Sequence, residues 1–280
     1  MSRPEGACPV RVSSAAGQKP LIPGTGYGCI FVVNRVYCNH SRLIRPGKRA
    51  AGRGKIIRQK EGIPMHDRIS LNNGAVIPAL GFGTWCIADE AAANAVKTAI
   101  ELGYRHIDTA QAYGNEAGVG KGVRDSGVPR EELFIVSKVA AEHKSYATAA
   151  ASIDETLRTM GLSYLDMMLI HSPQPWAEWR GENRYFEENR QVWRALEDAC
   201  KAGKLRAIGV SNFLQDDLDS LLPHCAVKPA VNQVLAHIGH MPDALIDYCA
   251  GQGIAVEAYS PIAHGEALKN PAISATGSTK

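Results

Sequence analysis

Between residues 80 and 258 the chain alternates short apolar runs with longer stretches in which apolar residues recur every three or four positions. The runs are Leu80–Thr84, Tyr104–Asp108, Leu133–Lys138, Leu165–His171, Leu205–Val210, Ala230–Val234 and Ile254–Ala258. Bounded runs of this length predict strands. The stretches between them predict helices over Glu90–Leu102, Glu116–Asp125, Tyr146–Met160, Asn189–Ala202, Leu214–Leu222 and Pro242–Gln252. In the first of these, Ala92, Val96, Ala99 and Ile100 fall on one face, and Gly103 ends it; Gly161 and Gly203 end two others. Regular strand–helix alternation predicts right-handed crossovers and a parallel sheet. Seven strands and six helices fall one strand and two helices short of a TIM (β/α)8 barrel. After Ala258, Glu266–Lys269 begins a further helix and the small, polar Ser274–Lys280 offers no last strand. The expected fold is therefore α/β, a TIM-type barrel truncated after about the seventh strand. A doubly wound sheet is the alternative, but no G-x-G-x-x-G follows the first strand, and Gly24-Thr-Gly-Tyr-Gly28 has the wrong spacing and no helix after it.

Ahead of the barrel, Arg68–Pro78 alternates apolar and polar positions around Asn73-Gly74, which predicts a hairpin with a two-residue type I′ turn. Residues 1–64 read differently. They hold 12 Lys+Arg against 2 Asp+Glu, a charge of +10, whereas residues 65–280 carry −7, so the modest +3 of the whole chain conceals two unlike parts. The basic part is expected to be a disordered leader on a 65–280 barrel, with Met65 a plausible start. An organelle leader or a basic nucleic-acid arm are the other readings. Its apolar patch Cys29-Ile-Phe-Val-Val33 can make one strand but has no local partner. No run approaches the roughly 18–20 apolar residues of a membrane span. Seven cysteines, odd in number, widely spread and without a C-x-x-C pair, argue against a disulfide framework and a zinc site, and suit a reducing, cytoplasmic compartment.

Parallel strands send all their C-terminal ends to one mouth, where TIM barrels carry their sites. That mouth collects Thr84, Asp108, Tyr113, Lys138, His171, Ser211, Asn212, Gln233 and Tyr259. A carboxylate and a phenol five residues apart are ordinary loop groups when taken alone. Lys138 and His171 at two further strand ends turn them into a proposal. A phenol is a poor acid at neutral pH, and a nearby ammonium favours its phenolate. Asp108 would keep the lysine charged, and a neutral His171 could orient a carbonyl or complete a proton path.

Asp108-Thr-Ala-Gln-Ala-Tyr113, Lys138, Leu169-Ile-His171 and Gly209-Val-Ser-Asn-Phe213 resemble the aldo-keto reductase family over about Met65–Asn270. Gly103–Glu116 and Glu257-Ala-Tyr-Ser-Pro261 are most similar to its diketogluconate-reductase-like branch. The resemblance implies an NADPH-dependent (NADH possible) barrel enzyme that reduces aldehydes and ketones. It implies Tyr113 as general acid, Lys138 and Asp108 tuning it, and His171 orienting the substrate. Ser211, Asn212 and Gln233 would hold the nicotinamide carboxamide, Tyr259 would stack on its ring, and Thr84 and Ser260 would join the cofactor site. Trp85 and Trp176 would line the substrate pocket. The partner expected is a small carbonyl compound, with no nucleic acid, membrane or metal, and a monomeric state. Family members continue with an eighth strand and a basic loop for the adenosine 2′-phosphate that are not found here. Two unpaired strand edges and weak cofactor affinity are therefore expected, and the alternative function is an impaired product acting, if at all, through binding. A Schiff-base barrel with Lys138 as nucleophile is the third reading.

Overall fold

The computed structural model describes residues 29–34, 67–271 and 273. Its strands in chain order are β1 (Cys29–Asn34), β2 (Arg68–Ser70), β3 (Val76–Pro78), β4 (Leu80–Gly83), β5 (His106–Asp108), β6 (Phe134–Val139), β7 (Leu165–Ile170), β8 (Leu205–Ser211), β9 (Val231–Leu235) and β10 (Ala255–Tyr259). The helices are α1 (Asp89–Glu101), α2 (Glu116–Asp125), α3 (Tyr146–Met160), α4 (Phe186–Lys201), α5 (Gln215–Leu221) and α6 (Asp243–Gly251). Strands β4 to β10 are the seven expected ones, each paired parallel with the next. The element that begins at Ala263 is a 3-10 stretch interrupted at His264 and Gly265, not a regular helix.

Two further expectations need correction. The edges of β4 and β10 are not left open. β1 lies between them, antiparallel to both, and closes the ring. Its register sets Val32 opposite both Ala258 and Leu80. An unpaired edge is a row of free backbone donors and acceptors, so any chain segment of suitable shape is favoured there. The partner of the Cys29–Val33 patch is thus distant in sequence rather than local. The rest of the proposed leader lies outside the described residues.

The β2–β3 hairpin forms, but its turn is not type I′. Gly74 alone has positive φ, at 84°. Gly74 N donates to Leu71 O, and Leu71 N donates to Ala75 O. That is the three-residue loop in which a turn is followed by a left-handed glycine, and it leaves Asn73 free of positive φ. Asn73 Oδ1 instead accepts from Ala75 N.

Alternation along the strands sorts side chains between two cores. Ile135, Val139, Met168 and Ile170 pack outward against the helices. Phe134, Val136, Met167 and Leu169 point inward and meet Leu71 and Ile77 of the hairpin, which plugs the N-terminal end of the barrel. Each such fully buried side chain stabilises by roughly 1.5–3 kcal/mol. The next inward positions along β6 and β7 are Lys138 and His171. The apolar plug therefore gives way to polar chemistry at the C-terminal end.

Candidate active site

The inward face of β5 carries His106 and Asp108, two residues apart and both fully buried. Room for the His106 ring comes from Gly81 on the neighbouring β4: a Cβ there would stand 2.6 Å from His106 Nδ1. Lys138 projects from β6, also with no exposed surface, and its Nζ lies 2.5 Å from Asp108 Oδ1 and 2.9 Å from the Thr109 carbonyl.

Tyr113 ends a short 3-10 turn, Gln111–Tyr113, which Gly114 leaves at φ 67°. The loop around it is pinned on both sides. Thr109 Oγ1 donates to Asn115 Oδ1, whose Nδ2 donates to the carbonyls of Thr84 and Ile87. Gln111 accepts from Ala140 N and donates to Ser152 O. So held, the phenol ring centroid stands 5.2 Å from Lys138 Nζ and 5.5 Å from the His171 ring, edge to face.

His171 follows the last residue of β7 and is buried, with Nδ1 lacking a hydrogen-bond partner. Burial, with the Lys138 charge adding to it, holds its pKa well below that of an ordinary histidine, so the ring is neutral at physiological pH. Burial works against the Lys138 ammonium as well. There the charges of Asp108, Tyr113 and Glu257 outweigh it and keep the pKa above the usual lysine value. Asp108, Tyr113, Lys138 and His171 are thus brought together at one mouth, with a charged lysine and a neutral imidazole flanking one phenol.

The expected cofactor residues divide. Asn212, held at φ 63°, donates to His171 O and Ser211 Oγ and accepts from the Tyr259 hydroxyl at 2.9 Å. Asn212 and Tyr259 border a pocket whose walls include Trp179, Arg180, Val234 and Pro242. Thr84 is buried and its Oγ1 has no partner. An aromatic face and a side-chain amide on this pocket fit a nicotinamide group, whereas Thr84 is not among the pocket's walls. Ser260 sits beside them, at φ 51°, with its Oγ 3.3 Å from His264 Nε2. Gln233 lies deeper: its Nε2 donates to Asp108 Oδ2 and Glu257 Oε1, both at 2.9 Å, so a carboxamide would meet it as an acceptor, through Oε1. Trp176 packs edge-on against His171 at 5.0 Å, and half-buried Trp85 lies against His264 at 5.3 Å.

The sequence reading missed His106 and Glu257 as members of this interior group. Period-two spacing was the available signal, since His106 shares a face with Asp108 and Glu257 shares one with Tyr259. His106, Asp108 and Glu257 stand close enough to hold a cation among them, but the Lys138 ammonium already sits on Asp108. Arg180 was missed too. It stacks on Trp179 at 4.2 Å, in a loop that Gln174 ties down through Arg180 N, Gly181 O and Asn183 O.

Comparison with known proteins bears on this geometry. Residues 79–277 match the model of the "Aldo/keto reductase family". The chain is 45% identical over 207 residues to "Glyoxal reductase" of Bacillus subtilis, covering 74% of this chain and 71% of that protein. It is 39% identical over 239 residues to "Glycerol 2-dehydrogenase (NADP(+))" of Saccharomyces cerevisiae, covering 75% and 74%. Among solved structures, an aldo/keto reductase from Brucella melitensis superposes with a TM-score of 0.66 at 36% identity, over 71% of this chain and 74% of that one. An aldo-keto reductase of Bombyx mori in complex with NADP gives 0.63 at 33%, over 70% and 66%.

Proposed function

This chain belongs to the aldo/keto reductase family, and from that premise we propose that it reduces a small aldehyde or ketone at the expense of NADP(H), with Tyr113 as general acid. The observation that carries the reading is the convergence of one buried ion pair, one phenol and one neutral imidazole: Lys138 Nζ is 2.5 Å from Asp108 and 5.2 Å from the Tyr113 ring, which faces His171 at 5.5 Å. The names of relatives, a glyoxal reductase and an NADP(+)-linked glycerol dehydrogenase among them, support the carbonyl substrate class and the dinucleotide. The solved Bombyx mori relative with NADP supports the latter as well.

A nicotinamide dinucleotide, when bound, supplies the hydride. The rest falls to the protein's own side chains. Tyr113 gives its hydroxyl proton to the carbonyl oxygen as that oxygen gains negative charge. The Lys138 ammonium beside the ring stabilises the phenolate left behind, and Asp108 keeps that ammonium charged and aimed. His171, neutral, offers the substrate oxygen a hydrogen bond without a competing charge. Water in the cleft returns a proton to Tyr113 after turnover. Asn212, Tyr259, Thr84, Ser211 and Ser260 are the residues proposed to seat the nicotinamide, with Trp85 and Trp176 bounding the substrate.

A Schiff-base role for Lys138 is disfavoured, because that chemistry requires a neutral amine, whereas Lys138 is paired to a carboxylate and its pKa is raised. The proposal is tested by following NADPH oxidation with purified protein and glyoxal or an aromatic aldehyde. Aldehyde-dependent oxidation is expected. Its absence, with the protein shown to be folded, contradicts the reading.

A further inference from the structure

Glu257 and His106 have no part in the reaction just described, yet they sit in the same interior layer as the residues that do. Glu257 is fully buried on β10. A single amide nitrogen, Gln233 Nε2, stands 2.9 Å from Glu257 Oε1 and 2.9 Å from Asp108 Oδ2, so two carboxyl groups share one donor. Glu257 Oε2 makes no hydrogen bond, and His106 Nε2 is 3.8 Å from Oε1, beyond hydrogen-bond reach. The ammonium of the cluster sits on Asp108. An ionised carboxylate with one bare oxygen in a dry interior is strongly disfavoured, whereas a neutral carboxylic acid is tolerated there.

We propose that Glu257 is held as a neutral carboxylic acid and acts as a positioning residue, its ionisation passing through the shared Gln233 amide to Asp108 and weakening proton donation by Tyr113. This rests on the carbonyl-reductase reading. Among the described residues, the groups facing Glu257 are Gln233 from β9, His106 and Asp108 from β5 and Lys138 from β6; β1, the neighbour of β10 on its other side, sets Val33 in register opposite Glu257, and β4 brings only glycines, Gly81 and Gly83, to this level. Burial, with the Asp108 charge adding to it and Lys138 and Gln233 opposing, pushes the Glu257 carboxyl up to about 8. Burial pushes His106 down to about 4, so it does not take the proton instead. Between about pH 4 and pH 8 the cluster of Asp108, Lys138, Glu257 and His106 carries no net charge; above pH 8 the net charge is −1. The added negative charge disfavours a phenolate at Tyr113, and the rate falls.

The experiment uses the full chain with NADPH and an aldehyde, and follows the hydride-transfer step in single turnover from pH 6 to 10. The wild-type rate is expected to drop about tenfold between pH 7 and 9, as a group with a pKa near 8 loses its proton. Glu257→Gln, which cannot ionise, is expected to flatten that drop to about twofold or less, and Glu257→Asp to restore it. An alkaline limb unchanged in Glu257→Gln overturns the positioning role. A second readout needs neither turnover nor a folded variant. The infrared difference spectrum of the wild-type protein between pH 6.5 and 9.5 should show a protonated-carboxyl band disappearing, and a spectrum without that band refutes the neutral Glu257. A positive infrared result with no turnover counts against the reductase reading and leaves the protonation claim standing.

Discussion

Two halves of one buried polar cluster handle charge in opposite ways. On one side Lys138 and Asp108 form a close ion pair, with the Thr109 carbonyl and the Gln233 amide completing the set. On the other, Glu257 Oε2 and both His106 ring nitrogens lack hydrogen-bond partners of normal geometry. Both halves are fully buried, so depth does not explain the difference. What differs is the supply of an opposite charge. Where the ammonium is present, a carboxylate persists in the interior; where it is absent, the acid keeps its proton and the imidazole stays neutral. A barrel interior can thus hold a finished charged site and a neutral reserve a few ångströms apart.

Removing the cation breaks the comparison and carries the largest expected effect. Lys138→Met leaves Asp108 as a buried charge without its counter-ion, which should cost roughly 3–5 kcal/mol of stability. A denaturant midpoint unchanged by this substitution would show that the ion pair does not balance the interior. A smaller effect sharpens the comparison from the neutral side. The unfolded chain releases the Glu257 proton near the ordinary carboxylate value, while the folded chain keeps it to about pH 8. The stability contributed by this group is therefore present at low pH and lost as pH rises through 8. Between pH 6.5 and 8 the loss should be on the order of 1–2 kcal/mol. His106 acts in the other direction: its contribution is present above pH 6.5 and lost as pH falls toward about 4. Unfolding free energy measured across this range, in wild type and Glu257→Gln, checks the sign. A wild-type value that rises between pH 6.5 and 8 contradicts it.

The parallel part of the fold was legible because its signals are local. Gly103, Gly161 and Gly203 all have positive φ where helices were expected to stop. The apolar runs became strands within one or two residues of their predicted ends. Lys138 and His171 were found because each ends an apolar run. The closing seam was not legible, because the pairing of Cys29–Asn34 with β4 and β10 spans about 50 to 225 residues and leaves no periodic trace in the intervening sequence. The hairpin turn failed for a different reason: Asn73-Gly74 satisfies two turn geometries, and the strand register chose the longer one. His106 and Glu257 sat inside motifs that were already noted. Their meaning depends on which strands become neighbours across the barrel, and that is known only once the ring is closed.

The central claim is that Tyr113 delivers the proton that accompanies hydride transfer. Tyr113→Phe removes a single half-buried hydroxyl at the cleft, so folding should be little changed. With NADPH and an aldehyde, single-turnover hydride transfer in this variant should slow by about 10²–10⁴-fold while NADPH affinity stays near that of the wild type. A Tyr113→Phe variant that transfers hydride at the wild-type rate would contradict the account.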